Sequence, residues 1–346
     1  MGHKLVYECP NRTLQDIREN DQLFGGLTVL FSGDWCQILP VVRHGSRAQT
    51  VEATLKWSFI WDSIHPLSLE KNMRLENSET NETDFNKFLL DIGNGRGNHL
   101  TMHGQFAIEI PKEITVNSAE ELFQFVFYDL QENYKNPRWL SSRAIIAPTN
   151  KDVDMINEKM INQFPGELKI YKSADKVEEF ENQYPLELIN KFTPPGFPQH
   201  ELKLKVNAPI MLLKNFEPSK GHCNGTIYVI KQMSSHVLDA VVANGKHAGE
   251  RLFIPRIPLT TDPDTYAFRM TRRQFPVRLA FGITANKAQG QTLKKVGVYL
   301  RSNFFSHGQF YVACSRVESG KNLKIWIPNV KDIAYTDNVV YPEIFS

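Results

Sequence analysis

The sequence contains no G-x-x-x-x-G-K-[ST] stretch, the loop whose backbone amides and lysine cradle nucleotide phosphates. Neither Gly-Lys dipeptide completes it: Gly245-Lys246 is followed by His247, and Gly320-Lys321 by Asn322. No Asp-Glu dipeptide occurs either, so an adjacent acidic pair of the kind that holds magnesium beside a nucleotide is missing. Cysteine is scarce. Cys9, Cys36, Cys223 and Cys314 are far apart, no two have zinc-ligand spacing, and nothing in their placement suggests a disulfide framework. A reducing, intracellular setting is expected. Long apolar runs are lacking: Ala208–Leu213 is short and interrupted by Pro209, so no bilayer-spanning segment is expected. The N-terminus shows no signal-peptide apolar region. An excess of one charge is also absent, since 40 basic residues against 38 acidic ones leave a net +2. Any surface for a polyanion must therefore be local.

What is present is an α/β rhythm. The 346 residues, 41% of them apolar, are enough for two or three domains with ordinary cores. Leu27–Phe31 follows Gly25-Gly26 as a continuous apolar run, which predicts a strand buried on both faces. A helix is expected near Gln49–Ile64 and a short strand at Pro66–Leu69. Helical spacing over Asp84–Ile92 stops at Gly93-Asn94-Gly95, and a further helix fits Ala119–Tyr134. Ala144–Ala147 reads as a buried strand, with a polar turn to Asn150 and a helix near Lys151–Gln163. Strand-then-helix repetition is the pattern of a parallel sheet with crossovers. After Pro194-Pro195-Gly196-Phe197-Pro198 the character changes to short strand-like runs at Pro209–Leu213, Gly225–Ile230, Val237–Val242 and Arg251–Ile254. The α/β pattern resumes at Val277–Phe281. A helix through Lys287, a strand at Val296–Leu300, a helix over Gly308–Arg316 and a strand at Leu323–Trp326 follow.

Four groups of residues suggest chemistry. Gly33-Asp34 through Gln37 lies just after a predicted strand, at the edge where open α/β sheets bind ligands, and the neutral amide of Gln37 can serve a phosphate oxygen and a water together. Arg74, in Asn72-Met73-Arg74, and Arg316 are guanidinium groups of the kind that reach developing phosphoryl charge. Lys287-Ala288-Gln289-Gly290-Gln291-Thr292 gathers a cation, amides, a hydroxyl and a glycine in one turn, where Gly290 permits close backbone approach or simply ends a helix. Basic and aromatic residues recur over 192–278, among them Phe197, Lys205 and Arg273; such sets stack bases and follow a nucleic-acid backbone, or line an ordinary β-domain. Each signal alone also fits a capped turn, a solvated arginine or a packed core.

Taken in order, the motifs resemble the petite-integration-frequency family of DNA helicases, especially the copies carried by Helitron transposons, in the superfamily-one branch that includes the RecD motor. The likeness runs through Phe24-Gly25-Gly26, Gly33–Pro40, Asn72–Arg74, Ala147–Asn150, Cys223-Asn224-Gly225-Thr226, Arg273-Gln274-Phe275-Pro276, Lys287–Leu293 and Tyr311–Val317. It implies an α/β fold of RecA-like domains with parallel sheets. The implied domains are a remnant of the first over 1–75, the second over 76–189 and 276–346, and a small β-rich, barrel-like insertion over 190–275. It implies that Gln37 senses the γ-phosphate with Asp34 and Gly33 beside it, and that Arg74 and Arg316 reach the nucleotide. Gln289 and Gly290 would link phosphate contact to DNA, and Lys287, Thr292, Phe197, Lys205 and Arg273 would contact single-stranded DNA. ATP and Mg2+ are the implied cofactors, with no further metal site. Single-stranded DNA is the implied partner, the nucleus the first expected location and the mitochondrion the second. The implied activity is 5′-to-3′ translocation with duplex opening. Cys36 stands where the family usually carries Arg, and Ala288 replaces a usual Ser. Met1-Gly2-His3-Lys4 resembles the residues that follow the acidic pair in relatives, so the chain is expected to lack the two motifs that bind magnesium ATP and to be inactive alone. A fuel-less DNA-binding module and a decayed transposon remnant are the alternatives.

Overall fold

The computed structural model describes residues 2–69, 81–97, 99–100, 106–178, 185–262, 265–266, 268–330 and 332–345. The fold is α/β. Its five-stranded sheet has the order Gly282–Thr284, Arg143–Ala147, Lys295–Tyr299, Leu323–Trp326, Thr115–Val116. Pairing is parallel between Gly282–Thr284 and Arg143–Ala147 and between Leu323–Trp326 and Thr115–Val116. Arg143–Ala147 is buried along its whole length, as the unbroken apolar run Ala144–Ala147 predicts. The helix Asn150–Gln163 follows at once. Its N-cap Thr149 accepts from the Asp152 amide at 3.2 Å and donates to the Asp152 carboxylate at 2.6 Å, so the carboxylate sits at the positive end of the helix.

By its contacts the chain divides into two units: 1–119 with 288–292 and 298–346, and 120–287 with 293–297. The first unit opens on the helix Leu5–Arg18, which sequence patterning did not predict and which holds Pro10 within it. Buried Asn11 accepts the Phe24 amide at 2.6 Å and Arg18 donates to the Gly25 carbonyl at 2.7 Å, fixing the Phe24-Gly25-Gly26 turn on this helix. Residues 106–110, 99–100 and 334–338 form a three-stranded antiparallel sheet.

Three expectations in this unit are corrected. Leu27–Phe31 is not a strand: Leu27, Val29 and Leu30 are 42%, 39% and 84% exposed. Among the described residues nothing pairs with this run, and an apolar run without a neighbouring ladder keeps no strand. Pro66–Leu69 is likewise extended and exposed rather than a strand. The helix expected over Gln49–Ile64 is a short helix, Arg47–Glu52, followed by single 3-10 turns at Leu55–Trp57 and Trp61–Ser63. Ser46 closes a capping box with Gln49 and so starts the helix early, while Thr54 and Ser58 adopt extended backbone and interrupt it.

The second unit carries the β-rich stretch. A five-stranded antiparallel sheet has the order Arg251–Pro255, Val237–Val242, Ile227–Met233, Pro209–Leu212, Val277–Leu279. A three-stranded sheet joins Ile257–Thr260, Arg269–Gln274 and Ala174–Glu178, and Lys169–Lys172 pairs with Glu201–Leu204. The run Val277–Phe281, expected as one α/β strand, serves two sheets instead. Val277–Leu279 joins the antiparallel sheet, and the chain then enters the parallel one at Gly282. The helix expected over Ala119–Tyr134 breaks into Ala119–Val126 and Leu130–Asn133, because Asp129 takes a left-handed conformation at φ 53°.

Candidate functional site

The Gly33–Gln37 segment is a tight turn built by its own aspartate. Asp34 Oδ1 accepts the Cys36 amide at 3.0 Å, and the Gln37 amide donates to the Asp34 carbonyl at 3.1 Å. The Gln37 side chain donates to Asp34 Oδ2 at 3.2 Å, and its Oε1 accepts from Gln289 Nε2 at 3.2 Å. The Tyr311 hydroxyl also hydrogen-bonds Asp34. Burial, with Asp34 next, pushes the Tyr311 phenol well above its ordinary range. The Cys36 thiol is pushed up to about 12 by burial first and by Asp34 second. Trp35 meets Trp61 edge to face at 5.8 Å, and Lys56 lies over both rings at 5.5 and 5.7 Å.

The Gly290 loop sits beside this turn. Gly290 has φ 79°, the left-handed conformation that ends the short helix Ala285–Ala288, and an added Cβ meets nothing within 4 Å. Conformation, not crowding, is therefore what favours glycine there. Thr292 is exposed. Arg316 is buried. It donates to the carbonyls of Val312 at 2.8 Å and Gln291 at 3.2 Å and to the Ser315 hydroxyl at 2.8 Å. The expected set Gly33, Asp34, Gln37, Gln289, Gly290, Thr292 and Arg316 thus lies in the first unit, and Arg316 reaches the Gly290 loop through the Gln291 carbonyl. Arg74 lies outside the described residues.

The expected DNA contacts of the second unit are dispersed. Lys287 holds Asn224 Oδ1 at 2.7 Å, and burial lowers its ammonium pKa. Arg273 is exposed. Phe197 packs against the cluster of Val177, Ile189 and Met270. Lys205 is buried, with its ammonium on the Phe164 carbonyl at 2.6 Å; a backbone-tracking role would require that bond to open. Arg272, which the sequence placed in the basic set of 192–278, and Asp175, which sequence reasoning did not single out, organise this region. Arg272 and Asp175 form a fully buried bidentate pair, and Arg272 further donates to the carbonyls of Pro198, Ile189 and Asn190. The basic set marked Arg272 as a surface contact, whereas the alternation of its strand Arg269–Gln274 turns it inward. His307 and Gly308, to which the sequence reading gave no site role, stand against the Gln37 turn. Among the described residues no group of three or more His, Cys, Asp or Glu is placed to hold a metal, and no helix is long and apolar enough to cross a membrane.

Two family descriptions match the chain: PIF1-like helicase over residues 1–103, and the 2B domain of DNA helicase Pif1 over 187–233. Over these two stretches the chain is similar to Pif1 helicases. The 2B match begins just before the β-rich stretch and ends at Met233, the last residue of the strand Ile227–Met233. The chain is 26% identical over 315 residues to the ATP-dependent DNA helicase PIF1 of Xenopus laevis, covering 89% of this chain and 42% of that protein. To the ATP-dependent DNA helicase Pif1 of Campylobacter jejuni it is 23% identical, covering 89% and 64%. The chain thus spans under half the length of the Xenopus relative it matches. The Pif1 helicase of Candida albicans shares its fold at a TM-score of 0.59 and 22% identity, over 99% of this chain and 73% of that one. The Bacteroides Pif1 helicase in complex with ADP-AlF3 and ssDNA does so at 0.60 and 23%, over 96% and 69%. The fold is therefore that of the RecA-like Pif1 helicases.

Proposed function

We propose that this chain works in ATP-dependent DNA unwinding, moving 5′-to-3′ along single-stranded DNA. The observation that carries the reading is the hydrogen bond from Gln289 to Gln37, which brings together two motif loops 252 positions apart. Gln37 resembles a phosphate-sensing amide, and the Gln289–Thr292 loop resembles the segment that couples phosphate contact to DNA. The relatives named as ATP-dependent DNA helicases and the Bacteroides complex with ADP-AlF3 and ssDNA support it. The nucleus is the proposed place of action.

Taken by themselves, the residues present do not fit magnesium ATP. The sequence has no phosphate-cradling loop, Asp34 is committed to its own turn and to Tyr311, and Arg316 is bonded to carbonyls and Ser315. Phosphoryl transfer is catalysed mainly by positioning and preorganised charge, so turnover belongs to a protein that also carries a phosphate cradle. We expect these 346 residues alone to show no ATPase or unwinding above background. Steady-state phosphate release with single-stranded DNA present checks this, and release well above background overturns it.

A fuel-less single-stranded DNA-binding role is the second reading, favoured by the exposure of Arg273 and Thr292. A labelled oligonucleotide is expected to bind weakly, and less so as salt rises. Absence of binding at low salt removes DNA as partner.

A further inference from the structure

We propose that His307 and Gly308 are positioning residues that set the Gly33–Gln37 turn, one by holding its backbone and the other by letting that backbone come close. The proposal rests on reading Gln37 as the phosphate-sensing amide.

Gly308 begins the helix Gln309–Cys314 with φ 71°. A Cβ built there would lie 2.4 Å from the Cys36 carbonyl oxygen, 2.6 Å from the Gln37 carbonyl carbon and 2.8 Å from its oxygen. All three are backbone atoms, which cannot swing aside as the tip of a side chain does. The turn is therefore seated directly on the glycine, and any other residue would lift it. Gly308 is itself fixed, since its amide donates to the Val339 carbonyl at 3.2 Å and its carbonyl accepts the Val312 amide at 2.9 Å.

His307 grips the turn one peptide earlier. Its Nδ1 accepts the Tyr341 amide at 2.9 Å, which assigns the ring proton to Nε2. That Nε2–H donates to the Trp35 carbonyl at 2.8 Å. The imidazole is fully buried and packs on the rings of Tyr341 and Phe345. It thus bridges the Tyr341 backbone to the carbonyl just before Cys36, while Gly308 meets the carbonyls of Cys36 and Gln37. Of three successive carbonyls, His307 hydrogen-bonds the first and Gly308 lies close against the next two. The charged groups nearest His307 are Asp34, Arg47 and Glu343, the last two paired at 2.7 Å. Only the neutral ring serves both bonds, because a protonated Nδ1 would face the Tyr341 N–H donor to donor. A packing residue would need the ring's volume; a positioning residue needs the Nε2 proton.

Amide hydrogen exchange on the whole chain separates these roles, read at the Cys36 and Gln37 amides, both bonded inside the turn. His307→Ala and Gly308→Ala are expected to raise exchange at these two amides roughly tenfold, with the amides of Ile210, Met211 and Leu212 unchanged. His307→Gln, which keeps a side-chain donor, should return exchange to within about threefold of the parent. In the parent, protection corrected for intrinsic rate should fall as pH drops below 6.5, and His307→Gln should abolish that dependence. Unchanged exchange in both alanine variants overturns the proposal. So does a glutamine variant indistinguishable from alanine. No nucleotide is present, so a negative result counts against the clamp alone, while phosphate-release assays test the reading of Gln37.

Discussion

Gln289 donates its amide to Gln37 Oε1 at 3.2 Å, and Gln37 passes the chain on to Asp34 Oδ2 at 3.2 Å. Both glutamines are only partly buried and neither is charged, so the link is insensitive to salt. Gln289→Ala is expected to destabilise the chain by about 0.5–1 kcal/mol, at the low end for a lost hydrogen bond, because water reaches Gln37 in its place. Denaturant melts at two salt concentrations check this; a loss that shrinks with salt would contradict it.

The Arg272–Asp175 pair is fully buried, and every atom of the carboxylate is served by Arg272 or Ser173. Removing one partner leaves the other a buried charge without its counter-ion. Asp175→Ala or Arg272→Ala should therefore cost about 3–5 kcal/mol, and the double replacement by apolar residues of similar volume much less than the sum. A double-mutant cycle by urea unfolding measures this.

His307 carries a pH signature for stability. Burial, the largest cause, lowers its pKa below the ordinary 6.5. The unfolded chain then binds the proton more readily than the folded one, so stability rises with pH through this window. The contribution is complete above 6.5 and is lost as pH falls from 6.5 toward the lowered folded value. Thermal melting from pH 7.5 to 5 should show a decline in the parent that is flatter in His307→Gln.

Cys36 should be inert. With its pKa pushed up to about 12, only about one thiol in ten thousand is ionised at pH 8. Brief alkylation of the folded chain followed by mass spectrometry should mark exposed Cys9 well before Cys36. Equal labelling of the two would refute the buried turn.

Lys205 and Arg273 should separate fold from ligand. Lys205→Met removes the donor from the Phe164 carbonyl and should cost about 1–3 kcal/mol while leaving the salt slope of oligonucleotide binding intact. Arg273→Ala should leave stability within about 0.5 kcal/mol. If Arg273 meets a phosphate, the slope of log affinity against log salt falls by about 0.7. Melting and salt titration of both variants give the comparison.

Elements defined by local pattern were legible in the sequence. Val237–Val242 and Leu323–Trp326 were found to the residue, and Arg143–Ala147 with the helix after it to within a position, because short strand-like runs and a polar turn are local signals. The Gly33–Gln37 turn was legible for the same reason, since Asp34 builds it from within. Leu27–Phe31 failed because a strand is a property of its neighbours, and the described residues supply none. Pro10 hid the helix Leu5–Arg18, whose place is set by Asn11 reaching Phe24.

The sequence by itself determined which groups carry chemistry: the amides of Gln37 and Gln289, the missing phosphate loop, and glycines at turns that require positive φ. Only the tertiary structure decided which of them meet. It placed Gln289 on Gln37, buried Lys205 on a carbonyl, paired Arg272 with Asp175, and set Gly308 under the carbonyls of Cys36 and Gln37. Composition and spacing report what a segment prefers locally, whereas desolvation and close backbone approach depend on atoms brought together from hundreds of positions away.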